Sequence, residues 1–232
     1  MGEQKGEGMS IQELIDKALE KKEERVHSGK YSPSSLGKCY RNQFWNRQNQ
    51  LPSNPVDIRT ERVFQAGKLF HNFVQDLIIA NNPEAKKEVL IETEDFKGYA
   101  DLVLPDEVTD IKSQHSKAFW YRKDLTWKEL EPKLYPNILQ VVFYAVELRK
   151  ERARLCFISK DDLSIQEYPI LTDNYKVKLA KEITTLRDFW QKEELPPAAP
   201  RAYPNKDGKF AECSYCLWKT LCETLEKPKD LL

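Results

Sequence analysis

The chain has 232 residues, of which 40% are hydrophobic and 32% are charged, and its 37 basic and 37 acidic residues cancel to a net charge of zero. This length and composition are typical of a globular protein with one full-sized core. The balanced charge argues against general coating of DNA, which needs a basic domain, but it is compatible with a local basic patch. No apolar run is long enough to span a membrane and the N-terminal residues lack the apolar core of a signal peptide, so we expect a cytoplasmic protein.

The first third of the chain is expected to be helical, after a disordered leader over residues 1–9. Apolar residues recur at helical spacing in three segments: residues 11–26 with Ser10 as the cap, a segment that starts at Ser32 and includes Cys39, and residues about 58–80. A linker rich in Pro and Asn at 51–55 separates the last two of these helices.

The rest of the chain alternates between strands and helices. Strands are predicted over residues 87–94, 99–104, 107–112, 152–159 and 163–170, and helices over 136–149 and 173–191. Residues 113–135 are predicted to be irregular, and the tail from 195 onwards begins with several prolines. This order predicts an α/β fold in which helices flank a mixed central β-sheet.

Four of the five cysteines are spaced like the ligands of a metal centre. Cys213, Cys216 and Cys222 form a C-x2-C-x5-C triplet near the C-terminus, and Cys39 lies far upstream. Four thiolates can hold a [4Fe–4S] cluster or zinc. The spacing favours the cluster, because zinc sites usually combine C-x2-C with a second close pair. Cys156 lies in an apolar strand pattern and is interpreted as a buried small hydrophobe.

A second candidate metal site lies on the predicted strands. Asp110 and Lys112 are two residues apart in one strand and so share a face, and Asp101 ends the sequence Gly98-Tyr-Ala-Asp. Two carboxylates and the backbone carbonyl of Ile111 are hard oxygen ligands suited to Mg²⁺ or Mn²⁺. His71, from the preceding helix, could complete this set and would favour Mn²⁺.

Basic and aromatic residues follow the predicted strand that carries Asp110 and Lys112. Basic groups bind phosphates and aromatic rings stack on unpaired bases, and candidates for nucleic-acid binding are Lys117, Trp120, Arg122 and Lys123. The alternative is a surface segment whose aromatic side chains pack on the core. Gln140 and Tyr144 share one face of the next predicted helix.

With these residues in this order, the chain resembles the RecB-like branch of the PD-(D/E)XK nuclease superfamily. It is similar more narrowly to the iron–sulfur exonucleases of the fourth CRISPR-associated protein family and to AddB-type nuclease domains, over about residues 32–224. The motif D-x-K replaces the commoner E-x-K. The resemblance implies a restriction-endonuclease-like core and assigns roles to the motif residues. The metal ligands are His71, Asp101, Asp110 and the Ile111 carbonyl, the catalytic lysine is Lys112, the DNA-contacting helix motif is Gln140 and Tyr144, and the ligands of a structural [4Fe–4S] cluster are Cys39, Cys213, Cys216 and Cys222.

The resemblance also implies one nuclease domain over residues 10–232, with a cluster clamp from 32–50 and 195–224 and a catalytic core over 58–192. The implied function is Mn²⁺- or Mg²⁺-dependent exonuclease cleavage of single-stranded DNA ends, in the 5′→3′ direction, with endonuclease cleavage also compatible. CRISPR spacer acquisition in antiviral defence, phage or viral recombination and DNA repair are alternative contexts, with adaptation or recombination proteins as partners. Two other interpretations stay open: a non-catalytic DNA-binding or scaffold subunit that retains the fold, and an iron–sulfur redox protein.

Overall fold

The computed structural model describes residues 9–20, 27–204 and 209–226 of the chain. The predicted leader over 1–9 lies outside these residues except for Met9. The α-helices are α1 (Ile11–Glu20), α2 (Tyr40–Arg47), α3 (Ile58–Asn81), α4 (Ser116–Lys123), α5 (Trp127–Glu147), α6 (Asp173–Gln191) and α7 (Lys219–Glu226). The strands are β1 (Lys86–Glu92), β2 (Lys97–Val103), β3 (Glu107–Gln114), β4 (Arg152–Ser159) and β5 (Ile165–Leu171).

The five strands form one mixed sheet in the order β1-β2-β3-β4-β5. Strands β3 and β4 are parallel, whereas the other neighbouring pairs are antiparallel. A parallel pair needs a long crossover, which α4 and α5 provide. The predicted mixed α/β fold is thus confirmed.

Helices cover both faces of the sheet. The larger core packs α5 and α6 against the sheet and is centred on fully buried side chains such as Ile138, Phe143 and Leu155. A smaller core packs α3 against Ile111 of β3 and its neighbours on β4. In the part of the chain that the structure describes, no helix is both long and apolar enough to cross a membrane.

The predicted helix that starts at Ser32 and includes Cys39 is wrong in its extent. A single 3-10 turn, Pro33–Ser35, comes first, and α2 starts only at Tyr40, with Cys39 at its N-cap position. Gly37 interrupts the helix because its φ of 76° lies in the left-handed region, where glycine is favoured. Its surroundings also exclude a side chain, since an added Cβ would lie 3.1 Å from Tyr135 Cδ1.

Residues 113–135 are largely helical, contrary to the prediction that they are irregular. Helix α5 starts nine residues earlier than expected because Thr126 and Glu129 form a capping box, in which Glu129 Oε2 accepts from the Thr126 backbone N at 2.8 Å. Pro132 and Pro136 lie inside this helix. Prolines normally break helices, which is why the pattern predicted a later start.

Candidate active site

Strands β2 and β3 separate at the two predicted aspartates. The pairs Leu102–Thr109 and Val103–Val108 set a register that would next place Asp101 opposite Asp110, and the pairing ends there. In place of a backbone pair, Asp101 Oδ2 accepts a hydrogen bond from the backbone N of Ile111 at 2.8 Å. The two carboxylates therefore lie side by side where the sheet opens.

Lys112 is held by the strand and the helix behind it. Its Nζ donates to Asp110 Oδ1 at 3.0 Å and to Gln140 Oε1 at 3.3 Å. Burial by itself lowers the pKa of Lys112, but the charges of Asp110 and Asp101 outweigh it, and the pKa is raised overall. The lysine is therefore a fixed cation between the carboxylates and α5.

Asp110 lies in an environment that disfavours its charged form. Burial raises its pKa to about 6, against the attraction of Lys112 and with a further rise caused by Asp101. Burial also raises the pKa of Asp101. Asp110 Oδ2 lies 2.9 Å from Lys112 Nζ, yet its geometry accepts no hydrogen bond. A buried and a half-buried carboxylate, one of them with an oxygen that accepts no hydrogen bond, fit a site for a divalent cation.

His71 approaches the carboxylates from α3. Burial lowers its pKa first, and the nearby Lys112 lowers it further against the opposing charges of Asp110 and Glu88. A half-buried imidazole with a lowered pKa is neutral near pH 7, which is the form that binds metals.

Glu88 is a candidate site residue that sequence reasoning missed. It occupies the one unpaired position between the pairs Lys87–Leu102 and Val89–Ala100, which puts it opposite Asp101. Its φ of 50° is unusual for a residue other than glycine. Like charges opposite one another across strands are destabilising, so this position also fits a bound cation. Nothing in the local sequence distinguishes this glutamate from its neighbours.

Gln75, which sequence reasoning also missed, links β1 to β2 beside the candidate site. Its Nε2 donates to Glu88 Oε1 at 2.8 Å and to the Asp101 carbonyl at 2.9 Å, and the side chain is fully buried. It lies one helical turn after His71 on α3, so both side chains face the sheet. The helix thereby fixes both His71 and Glu88 relative to Asp101.

Three of these residues, His71, Glu88 and Asp101, line an open cavity of about 580 Å³. Lys68 and Lys160 contribute positive charge to the same wall. A cavity lined by both carboxylates and lysines can hold a cation and a phosphate together.

Tyr144 is packed against the glycine of the Gly98-x-x-Asp101 sequence. A Cβ at Gly98 would lie 2.5 Å from Tyr144 Oη and 2.9 Å from Pro33 Cδ. Burial, followed by the charges of Asp110 and Asp101, raises the pKa of Tyr144. Gln140 and Tyr144 are both buried, so here they support Lys112 and β2, and their contact with nucleic acid remains a prediction.

We expect Gly98→Ala to lower the free energy of unfolding by about 1–3 kcal/mol, because the added methyl overpacks a site walled by two rigid rings. Gly67→Ala on α3 is the matched control, since its Cβ would meet nothing nearer than 3.9 Å. Alanine is the better helix former, so the control should gain up to about 1 kcal/mol. Chemical denaturation measures both, and equal stability of Gly98→Ala and the wild type would contradict the close approach.

The predicted nucleic-acid-binding residues lie together on α4. Lys117, Trp120 and Lys123 are exposed, and Lys123 Nζ lies 4.7 Å from the centre of the Trp120 ring. Arg122 is half-buried, and Phe119 is fully buried in the core. Helix α4 therefore fits both interpretations of this segment. The Phe119 ring packs in the core, whereas the Trp120 ring is exposed and available to a ligand.

The four predicted cluster cysteines meet at one place although Cys39 is far away in sequence. Cys39 and its neighbours Arg41 and Asn42 contact the C-terminal cysteine segment, with the Cys39 backbone N donating to Glu212 at 2.7 Å. Burial raises the pKa of Cys213, and the nearby Cys216, Cys39 and Cys222 raise it further. All five described cysteines are free thiols, and Cys156 is buried in the smaller core.

Two N–H donors point at these sulfurs. Asn42 Nδ2 lies 3.4 Å from Cys216 Sγ, and Arg41 Nη1 lies 3.4 Å from Cys222 Sγ. Hydrogen bonds to sulfur are one way in which proteins tune cluster-bound thiolates. These donors therefore suit metal-bound thiolates, whether of a cluster or of zinc.

Neither the carboxylate site nor the cysteine site has its ligands drawn together around one point in this structure. Within the described ranges, no three His, Cys, Asp or Glu side chains form a group that could hold a metal ion without adjustment. The residues have the chemistry and the neighbourhood of ligands, and a cation or cluster would have to draw them together.

Comparison of the sequence with known families and with curated proteins finds no match. Solved structures do match. The crystal structure of SSO0001 is 22% identical, with a TM-score of 0.52, and the match covers 97% of this chain and 98% of that one. The alkaline exonuclease LHK-Exo from Laribacter hongkongensis is 15% identical, with a TM-score of 0.50, over 72% of this chain and 90% of its own. At these identities the likeness establishes the fold.

Proposed function

We propose that this protein is a metal-dependent DNA exonuclease of the PD-(D/E)XK superfamily. The observation that carries the proposal is the convergence of Asp101, Asp110 and Lys112 where β2 and β3 separate, with Lys112 Nζ 3.0 Å from Asp110 Oδ1. The fold shared with an alkaline exonuclease supports it. A non-catalytic DNA-binding subunit would not need a half-buried lysine held between Asp110 and Gln140.

The proposed ligands of a divalent cation are His71, Asp101, Asp110 and the Ile111 carbonyl. When bound, Mn²⁺ or Mg²⁺ supplies the Lewis acidity that phosphodiester hydrolysis requires. Glu88 faces the same cavity and is a further oxygen donor at its mouth.

The chain's own residues position the phosphate and stabilise its charge. Lys112 places a permanent positive charge beside the carboxylates, where negative charge develops on the phosphate during attack by water. Gln140 holds the ammonium from α5, and Gly98 lets Tyr144 support the same region. Because these groups are fixed before the substrate arrives, little reorganisation is needed during the reaction.

We infer that Cys39, Cys213, Cys216 and Cys222 hold a [4Fe–4S] cluster with a structural role. The convergence of the four thiols and the N–H groups directed at two of them support this inference. The cluster would link the C-terminal segment, which is the part of the chain after α6, to the start of α2.

We expect Mn²⁺ binding to weaken on acidification, because the proton on Asp110 competes with the cation. The pKa of Asp110 is raised to about 6, so the apparent association constant should fall about tenfold per pH unit below that value and level off above it. Calorimetric titrations between pH 5 and pH 8 measure this. The Asp110→Asn variant should bind weakly at every pH, and a wild-type affinity that is equal at pH 5 and pH 7 would contradict the assignment.

The test of function is cleavage of end-labelled DNA by anaerobically purified protein with Mg²⁺, Mn²⁺ or EDTA. We propose single-stranded ends as substrates and 5′→3′ as the direction, in CRISPR spacer acquisition, viral recombination or repair. Degradation that requires the cation and an accessible end supports the proposal. Binding of DNA without cleavage under every condition would favour the scaffold interpretation. The absorption spectrum of the same preparation, with iron and zinc content, decides between the cluster and zinc.

A further inference from the structure

A second cavity, of about 340 Å³, has Lys112 of the candidate active site in its wall and shares Ser113 with the first cavity. Its other walls come from β3, α4, α5 and the C-terminal segment, and they include Arg122, Lys133, Tyr121 and Tyr203. The first cavity is lined by two carboxylates, a histidine and two lysines, whereas three basic residues and no acidic residue line this one. The second cavity therefore presents positive charge next to the candidate active site.

Arg122 is a cation without an anionic partner. In the described parts of the chain it forms no ion pair with Asp or Glu; its hydrogen-bond partner is the neutral Gln114 Oε1, and its Cζ lies 3.8 Å from the centre of the Phe157 ring. Burial lowers its pKa. A half-buried guanidinium normally pairs with a carboxylate or a phosphate, so its free donors indicate an anionic ligand.

The position of Arg122 relative to Lys112 fits two successive phosphates. Gln114 follows Lys112 by two residues on β3, a rise of about 7 Å along the strand, and Arg122 binds Gln114. Phe157, under the guanidinium, is also the β4 partner of Lys112. Both cations thus lie over the same part of β3 and β4 and line the same cavity, so one nucleotide strand could contact both.

Tyr203 closes the cavity from the C-terminal segment. Its φ of 61° is unusual for a tyrosine, the residue is 39% exposed, and Lys38 Nζ lies 6.0 Å from the centre of its ring. An exposed tyrosine that lines a basic cavity is suited to stack on a base. Arg201, two residues earlier, anchors this segment through Glu182 at 2.7 Å and the Lys38 carbonyl at 2.7 Å.

We propose that this second cavity binds the nucleotide next to the cleaved phosphate, with Arg122 binding its phosphate and Tyr203 stacking on its base. The proposal rests on the proposed nuclease function and adds to it a subsite for a single nucleotide. It also gives the C-terminal segment a direct part in substrate binding, because without Tyr203 the cavity lacks one wall.

The experiment compares thymidine 5′-monophosphate, thymidine and inorganic phosphate as ligands by NMR titration in EDTA, so that no cation contributes. Wild-type protein should bind the monophosphate more tightly than thymidine. Arg122→Gln should weaken the monophosphate by about 10- to 100-fold, the loss expected for a charge-assisted hydrogen bond, and leave thymidine unchanged. Arg152→Gln is the matched control, because Arg152 is exposed at the opposite end of β4 and paired with Asp106.

A second variant on another element keeps the proposal testable if Arg122→Gln fails to fold. Tyr203→Ala should weaken thymidine and its monophosphate alike, with no effect on inorganic phosphate. Equal affinity of wild type and Arg122→Gln for the monophosphate, or no preference for it over thymidine, overturns the subsite. A protein that binds the monophosphate through Arg122 but cleaves no DNA with any cation keeps the subsite and refutes the nuclease.

Discussion

Lys112→Ala is expected to reduce DNA cleavage by about 10²- to 10⁴-fold, the range for removing one charge-stabilising or proton-transferring group from a preorganised site. The reason is the position of Nζ, which is held by Asp110 and Gln140 where the phosphate would lie. Asp110→Ala should be equally inactive, because it removes a ligand and leaves Lys112 without its partner. Initial rates on end-labelled DNA at saturating Mn²⁺ measure both.

The control for these variants is Lys176→Ala, an exposed lysine on α6 whose ion-pair partner is Asp173. It should cleave DNA like the wild type. Circular dichroism and the absorption spectrum must show that the inactive variants keep the fold and the cysteine site. Activity near wild type in both Lys112→Ala and Asp110→Ala would refute the assigned catalytic site.

Cys216→Ser is expected to lose iron, lower the melting temperature and weaken DNA binding, while Mn²⁺ binding at the carboxylates persists. Binding of a metal by four thiolates stabilises the folded form of the segment that carries them. The carboxylates lie on β2 and β3, whose pairing does not involve the C-terminal segment. Iron analysis, thermal denaturation and Mn²⁺ calorimetry on one preparation test the three parts.

The C-terminal segment has other anchors, so the loss of stability should be partial. Glu212 Oε1 accepts from the Cys39 backbone N at 2.7 Å, and Trp218 packs on Trp45 and donates to the Gln50 carbonyl at 3.0 Å. Limited proteolysis should therefore first reach the region around the lost ligand.

Cys156→Ala is the matched control for Cys216→Ser, because Cys156 is buried between α3 and the sheet, and it should retain iron. An unchanged melting temperature and a protease-resistant C-terminus in Cys216→Ser would show that the cysteines do not clamp the fold.

Most elements could be predicted from local pattern. Helix α6 has the predicted bounds, and α3 and the strands differ from prediction by a few residues, because their periodicity is uninterrupted and Pro, Gly and Asn punctuate their ends. Helix α4 was missed within the stretch predicted to be irregular, and two further errors come from competing local signals. Prolines inside α5 concealed a helix that the Thr126–Glu129 capping box begins, and Gly37 broke a helix whose apolar spacing continued past it.

The sequence by itself determined which residues of a short motif lie on the same face of a strand or helix. Asp110 and Lys112 share a strand and Gln140 and Tyr144 share a helix, because the periods of 2 and 3.6 residues fix which side chains lie on one face. The cysteine triplet was visible for the same reason, and its spacing indicated a metal centre before any fold was known.

Only the tertiary structure decided which distant residues meet. Glu88 reaches Asp101 through the register of β1 on β2, Gln75 reaches both from α3, and Tyr203 reaches Lys112 because Arg201 and Glu212 anchor its segment. These contacts depend on strand register, on helix packing against a sheet and on hydrogen bonds between segments more than 100 residues apart, such as Arg201 to the Lys38 carbonyl. None of these leaves a local period in the sequence, so no motif could have revealed them.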